Sequence, residues 1–200
     1  LILSWAYAPQ VAGLQARPAV MVTGLPLRWS GSVDFADILS GQSSDDVFLT
    51  EIERLGPISL VDSLAEQPRN SGATWVLAHP LALTPQDMAA VDQHVRGGGR
   101  ALIFADALSS WPAAHGFGDP RNAPITSLLT PLLDHWGVEL AAVPHGEGGE
   151  RWVRLPDAGL RLHSAGRFTR WPKGCAALGD AYILRCQIGQ GQAVLVGDAD

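Results

Sequence analysis

The chain has 200 residues, enough to bury one good core, so one α/β domain or a domain with a small appendage is expected. Hydrophobic residues make up 46% and charged residues 17%, a balance that excludes a disordered or fibrous chain. The formal charge of -6 arises from 20 acidic and 14 basic side chains, and the basic ones are scattered apart from a loose group between Arg151 and Arg170, which disfavours a nucleic-acid surface.

The opening stretch, LILSWAYAPQVAGLQARP, is apolar over its first eight residues apart from Ser4 and then loosens into a proline-bearing segment. Residues 1–17 therefore read either as the trimmed end of a membrane anchor or signal sequence, or as a simple docking segment. Residues 18–200 read as a single domain. No run of 18 apolar residues is present to span a bilayer. The far end, AVLVGDAD, stops just after an expected strand, and the chain reads as an excerpt of something longer.

PAVMVTG, residues 18–24, has the short apolar texture of a buried strand. A loop, LPLRWSGS, and a short helical pattern, VDFADIL, lead to a clearer helix from Asp45 to Leu55, with Ser44 as cap and Phe48, Ile52 and Leu55 on one face. Gly56-Pro57 ends it. ISLVDSL (58–64) and TWVLAHP (74–80) read as the second and third strands. The next helix is strongly signalled: Thr84 at the N-cap, Pro85 at N1, Asp87 at N3, and Leu83 placed to staple onto Met88. Met88, Val91 and Val95 share the face that covers a sheet.

Gly97-Gly98-Gly99 follows, with Gly97 expected as the left-handed C′ residue, and then the strand ALIFADA. Phosphate cradles lie after a strand and before a helix, where free N–H groups point at the anion; here the order is helix, glycines, strand. The triple glycine is thus read as punctuation. Alternating strands and helices across residues 18–107 imply a parallel sheet with right-handed crossovers.

A Pro-, Gly- and His-rich loop, residues 111–124, precedes ITSLLTPLLDHWG, where Leu128, Leu129, Leu132, Leu133 and Trp136 form a helical stripe. Pro131 interrupts that stripe unless Thr130-Pro131 starts a fresh helix. From Val138 onward the pieces VELAAV, RWVRLP, LRLHSAG, AYILRCQIG and QAVLVGD are β-like, with IGQGQAV as a hairpin connection. This β-rich third is expected to complete the same domain with mixed or antiparallel strands.

Ligands of open α/β sheets sit beyond the carboxyl ends of the strands. The residues there are Thr23, Gly24, Asp62, His79 and Asp106, joined by Asp198 and Asp200 if the last strand runs parallel. His79, Asp106 and Asp198 are the candidates for a metal site or acid-base pair, against the plainer reading that aspartates after strands cap loops and that a histidine before proline tops a strand. Trp29, Trp111 and Phe117 lie in loops and are expected either to line a ligand or partner surface or to fold back onto the core. LAHPLALTP, the turn where a nucleophile elbow would stand, has neither Ser nor Cys. Cys175 and Cys186 match no metal knuckle; they pair if they face each other across a hairpin in an oxidising compartment. No Walker motif, dinucleotide fingerprint, His-Glu-x-x-His or EF-hand loop occurs, so no cofactor is expected.

Three stretches, ATWVLAHPLALTPQDMAAVDQHVRGGGRALIFADAL, ITSLLTPLLDHWGVEL and IGQGQAVLVGDAD, together resemble the extracytoplasmic domain of auxiliary components of ABC transport systems first linked to gliding motility. The resemblance covers roughly residues 70–200 and rests on mainly structural motifs. It implies a flavodoxin-like three-layer α/β domain similar to class I glutamine amidotransferases, with a mainly parallel sheet and a β-rich C-terminal third. It also implies an extracytoplasmic, membrane-anchored protein whose partners are membrane transport subunits. Working amidotransferases carry a cysteine at the elbow, where this chain has His79-Pro80, so hydrolysis is not carried over. The expected role is noncatalytic binding, of a partner protein or of a carbohydrate or other ligand. The alternatives are a hydrolase or metal-assisted hydrolase using His79, Asp106 and Asp198, or a cytoplasmic small-molecule binder.

Overall fold

The computed structural model describes residues 17–27, 47–69, 72–113, 115–119, 121–144, 149–155, 159–163 and 165–200. Trp29, the VDFADIL pattern, Ser44 and the segment 1–16 lie outside the described residues.

The first strand, β1 (Ala19–Thr23), pairs in parallel with both β2 (Ile58–Leu60) and β3 (Thr74–Ala78). β3 pairs in parallel with β4 (Arg100–Phe104), and β4 in turn with β11 (Gly191–Val196). Beyond β11 the direction reverses, because β10 (Ile183–Ile188) and β9 (Cys175–Leu178) add antiparallel strands. The result is a seven-stranded, mostly parallel sheet of order β2-β1-β3-β4-β11-β10-β9. Its central strands read as continuous apolar runs because both of their faces are covered.

One face receives α2 (Pro85–Arg96) and α3 (Thr130–His135), whose Ala90, Val91, Val95, Leu132 and Leu133 pack on Trp75, Leu77, Ile103 and Leu195. The other receives α1 (Val47–Leu55), through Leu49 and Ile52, against Met21 and Val76. Farther along the same face, the hairpin of β6 (Glu150–Arg154) and β7 (Gly159–His163) lays Val153 and Leu162 on Ile183 and Val196. A small antiparallel pair, β5 (Glu139–Ala141) with β8 (Arg167–Arg170), completes the chain.

α2 starts as its sequence demands. Thr84 accepts from the Asp87 N–H, and the Asp87 carboxylate accepts from the Thr84 N–H, closing a capping box with Pro85 in the first turn. Asp87 is also buried, and it accepts from the Ser63 hydroxyl and the backbone N–H groups of Leu64 and Ala65, tying the loop after β2 to the helix start. Burial alone would raise its pKa, yet the hydrogen bonds from Thr84, Ser63 and the backbone win and hold it at about 2.

Several expectations are corrected. The left-handed glycine after α2 is Gly98, at φ 105°, not Gly97, at φ -78°. Gly98 N–H donates to Val95 O and Gly99 N–H to His94 O, the paired bonds of a Schellman motif one residue later than the sequence suggested. The ISLVDSL strand stops at Leu60, because the chain beyond it turns to meet Asp87. Pro131 does start a fresh, short helix, with Leu128 and Leu129 outside it. β8 and β9 come from segments whose residues carry little β signal.

Cys175 and Cys186 stand directly opposite each other on β9 and β10, with Cα atoms 4.0 Å apart, and form a disulfide. The bond closes a sequence separation of 11 residues. Replacing both by alanine should cost about 2 to 3 kcal/mol, lowering the melting midpoint by roughly 5 to 10 °C, with the same loss on adding reductant to the wild type. Thermal unfolding followed by circular dichroism checks this; an unchanged midpoint would show that the bridge stabilises nothing.

Candidate functional site

Because β11 is parallel to β4, the residues after both strands emerge at one edge of the sheet. Asp106, two residues past β4, and Asp198 and Asp200, just past β11, each offer a carboxylate oxygen, and these oxygens all lie within 4.8 Å of one another. Asp106 is fully buried, Asp198 nearly so, and Asp200 exposed. The approach needs glycine: a Cβ on Gly197 would lie 2.3 Å from Gly166 O, and Gly166 N–H donates to Gly197 O at 2.6 Å.

Each carboxylate is held by its own set of donors. Asp106 Oδ1 accepts from Leu108 N–H at 3.0 Å, whereas its Oδ2 is buried with no hydrogen-bond partner among the described residues. Asp198 Oδ2 accepts from His163 N–H at 2.8 Å. Asp200 accepts from the Ser109 hydroxyl and from both the N–H and the hydroxyl of Ser110, each at 2.7 Å.

His79 stands apart from this set. Its ring is fully buried, with Nε2 2.7 Å from Pro124 O. A carbonyl only accepts, so Nε2 carries the proton, and Nδ1 accepts the Asp106 N–H at 3.4 Å. Both nitrogens are engaged with backbone, and the ring positions the Asp106 loop instead of joining the carboxylates. The residue adopts φ 44°, and Gly24 N–H donates to its carbonyl, which turns the chain sharply after β3. Of the other edge residues, Thr23 donates its hydroxyl to Ala78 O, and Asp62 is exposed and outside the cluster.

Beside the carboxylates opens a cleft of about 300 Å³. Leu25, Phe104, Trp111, Leu160, Leu162 and Val196 supply apolar walls, and Asp198, Asp200 and Arg161 supply polar ones. Trp111 and Asp198 thus share one cleft; Asp106 lines a separate cavity of about 210 Å³ with Ser127 and Leu140, and Phe117 is 97% exposed elsewhere. The sequence carried no local sign of Ser109, Ser110 or His163, because they reach the site through the loop after β4 and a hairpin whose place on the sheet is a tertiary fact. Ser110 Oγ lies 2.8 Å from His163 Nδ1 as well as 2.7 Å from Asp200. A hydrolytic relay places imidazole between hydroxyl and carboxylate; here the hydroxyl is in the middle, an arrangement that orients but does not activate it.

A model of the family described as ABC-type uncharacterized transport system matches residues 5–142, which includes β1 to β5 and the loop that carries Asp106, Ser110 and Trp111. The chain belongs to this ABC transport family. No curated protein sequence matches it. Among solved structures it is similar to the exo-β-1,4-mannosidase Op5Man5 from Opitutaceae bacterium strain TAV5, with TM-score 0.52 and 13% identity over 93% of this chain and 32% of that one. It is also similar to a polyextremophilic β-galactosidase from the Antarctic haloarchaeon Halorubrum lacusprofundi, with TM-score 0.51 and 16% identity over 94% and 29% of the two chains. The mmIFT52 N-terminal domain matches at TM-score 0.50 and 12% identity over 91% and 86%. The chain spans about a third of the length of the two glycosidases. At these identities the likeness speaks of fold alone.

In this ABC transport family chain, burial pushes the Asp106 carboxyl up to about 8, against the pull of the Leu108 N–H and with further upward help from Asp200 and Asp198. Burial likewise pushes Asp198 up to about 6, despite the N–H donors of His163 and Asp200. Both groups bind a proton more tightly folded than unfolded. Their stabilising contribution is therefore complete below the ordinary carboxylate range and is lost as pH rises through about 6 and then about 8. In chelator-containing buffer, urea midpoints should fall across that window, and Asp106→Asn should flatten the upper part of the fall. A flat wild-type profile would contradict the assignment.

Proposed function

We propose that this chain is a noncatalytic binding domain of a membrane transport assembly, and that it engages a partner protein or a small ligand at the cleft beside Asp198. The observation that carries the reading is the cleft itself: apolar walls with Trp111 on one side and two anchored carboxylates on the rim, at the edge where open α/β sheets place ligands. Membership of an ABC-type transport family is in keeping with a transport-associated role and with transport components as partners.

The finer fold assignment belongs to the same reading. The parallel strands run in the order β2-β1-β3-β4-β11, which is the flavodoxin-like order with β11 as the fifth strand. The gliding-motility type and the amidotransferase-like class are supported by that order and by the motifs quoted above. We place the domain outside the cytoplasmic membrane, anchored in the full-length protein. The Cys175–Cys186 disulfide supports this, since such bonds persist in oxidising compartments.

A second reading, a hydrolase with a carboxylate pair, draws on the separation of Asp106 at about 8 from Asp198 at about 6, as in acid-base pairs. Against it, Asp106 is fully buried and lines a different cavity, of about 210 Å³, from the cleft that Asp198 lines, so the two carboxyls do not face one substrate space.

The test is reconstitution with the transporter's own membrane subunits. Trp111→Ala and Arg161→Glu should each weaken stoichiometric complex formation at least tenfold in a quantitative pull-down, with circular dichroism unchanged. Undiminished binding by both variants would remove the cleft from the interface, and turnover of ester or glycoside reporters that vanishes in Asp198→Asn would favour the hydrolase.

A further inference from the structure

We propose that Asp106, Asp198 and Asp200 form a site for a hard divalent cation, calcium in preference to magnesium, which joins the loop after β4 to the segment after β11. This stands on the carboxylate geometry and does not depend on what the cleft binds.

The donor set comes first. All three groups are carboxylates, the oxygen donors that hard cations take, and neither nearby imidazole joins the group: His79 is held by Pro124 O and the Asp106 N–H, and His163 Nδ1 meets Ser110 Oγ. An all-oxygen set without nitrogen or sulfur disfavours zinc or copper. Ligand count refines the choice. Calcium takes several carboxylates in a flexible shell, whereas magnesium keeps most of its water and takes one or two. The three oxygens here all lie within 4.8 Å of one another, near enough to share one ion.

An acidic cluster alone would say little, since such groups often lie together on surfaces. The second observation is Asp106 itself: fully buried, within the cluster, with Oδ2 unpartnered among the described residues. A buried polar atom without a partner costs free energy, and a cation bound between the carboxylates is the partner that this atom lacks. No ion pair to an arginine or lysine neutralises Asp106 or Asp198 among the described residues. The remaining oxygens are oriented as the supports of a metal site are: Asp106 Oδ1 by Leu108 N–H, Asp198 Oδ2 by His163 N–H, and Asp200 by Ser109 and Ser110. Three protein ligands with water completing the shell imply weak binding, in the range of about 0.1 to 1 mM typical of extracellular calcium modules.

The test is calorimetric titration of calcium chloride into the chelator-stripped protein at mildly alkaline pH, with magnesium chloride in parallel. Calcium should bind saturably at one site and raise the melting midpoint by roughly 3 to 6 °C at ten times its dissociation constant. Magnesium should bind at least tenfold more weakly. Asp106→Asn and Asp200→Asn should each weaken calcium at least tenfold while leaving the metal-free circular dichroism spectrum unchanged. Asp200 is exposed, so its variant keeps the test sound even if Asp106→Asn perturbs folding. Absence of saturable heat and of any midpoint shift, or calcium binding that survives both substitutions, would overturn the site. Equal affinity for magnesium would overturn the choice of calcium.

Discussion

The parallel pairing of β4 with β11 is the constraint on which the rest of the molecule depends. Residues 100–104 and 192–196 lie in register from Arg100↔Gln192 to Phe104↔Val196, although a long β-rich excursion separates them in the chain. Had β11 entered antiparallel, Asp198 and Asp200 would emerge at the opposite edge of the sheet from Asp106. The parallel choice follows from the antiparallel β10–β11 hairpin, whose turn lies at the α2 end of the sheet, where Gln190 N–H meets Arg96 O and Gln192 N–H meets Gly99 O. Short-range geometry at one end thereby decides which side chains meet at the other.

Local signals were legible where one physical rule acts within a few residues. The start of α2 was such a place, because Thr84, Pro85 and Asp87 each fill a position with its own hydrogen-bonding or dihedral requirement. The strands β1, β3, β4 and β11 were legible because burial on both faces favours apolar runs, and β10 because its apolar residues alternate with exposed Arg185 and Gln187. β8 and β9 were not: RFTR is four residues with a single buried apolar side chain, and CAAL carries little β preference, so their pairing depends on neighbours brought in from afar.

The site was legible in part for the same reason. Asp106 follows an apolar strand, and sheet edges are where ligands sit, so its nomination needed only the strand pattern. Asp198 and Asp200 depended on the direction of the last strand. His79 was nominated on the same logic, but its backbone turns back after β3 and sends the ring toward Pro124. No local pattern reveals that a proline carbonyl 45 residues away will capture an imidazole. Trp111 reached the cleft because the loop after β4 folds over the sheet edge, where the Ser109 N–H meets Ile125 O.

β9 is the last strand of its sheet on that side, and such edges expose backbone groups that can recruit a foreign strand or slip along their neighbour. Side chains alternate between faces, so a one-residue slip of β9 along β10 would send the two sulfur atoms to opposite sides of the sheet. A covalent bond between directly opposed positions forbids that slip. The cross-strand bridge is thus a register clamp: once it has formed, the vulnerable margin of the sheet admits one alignment only.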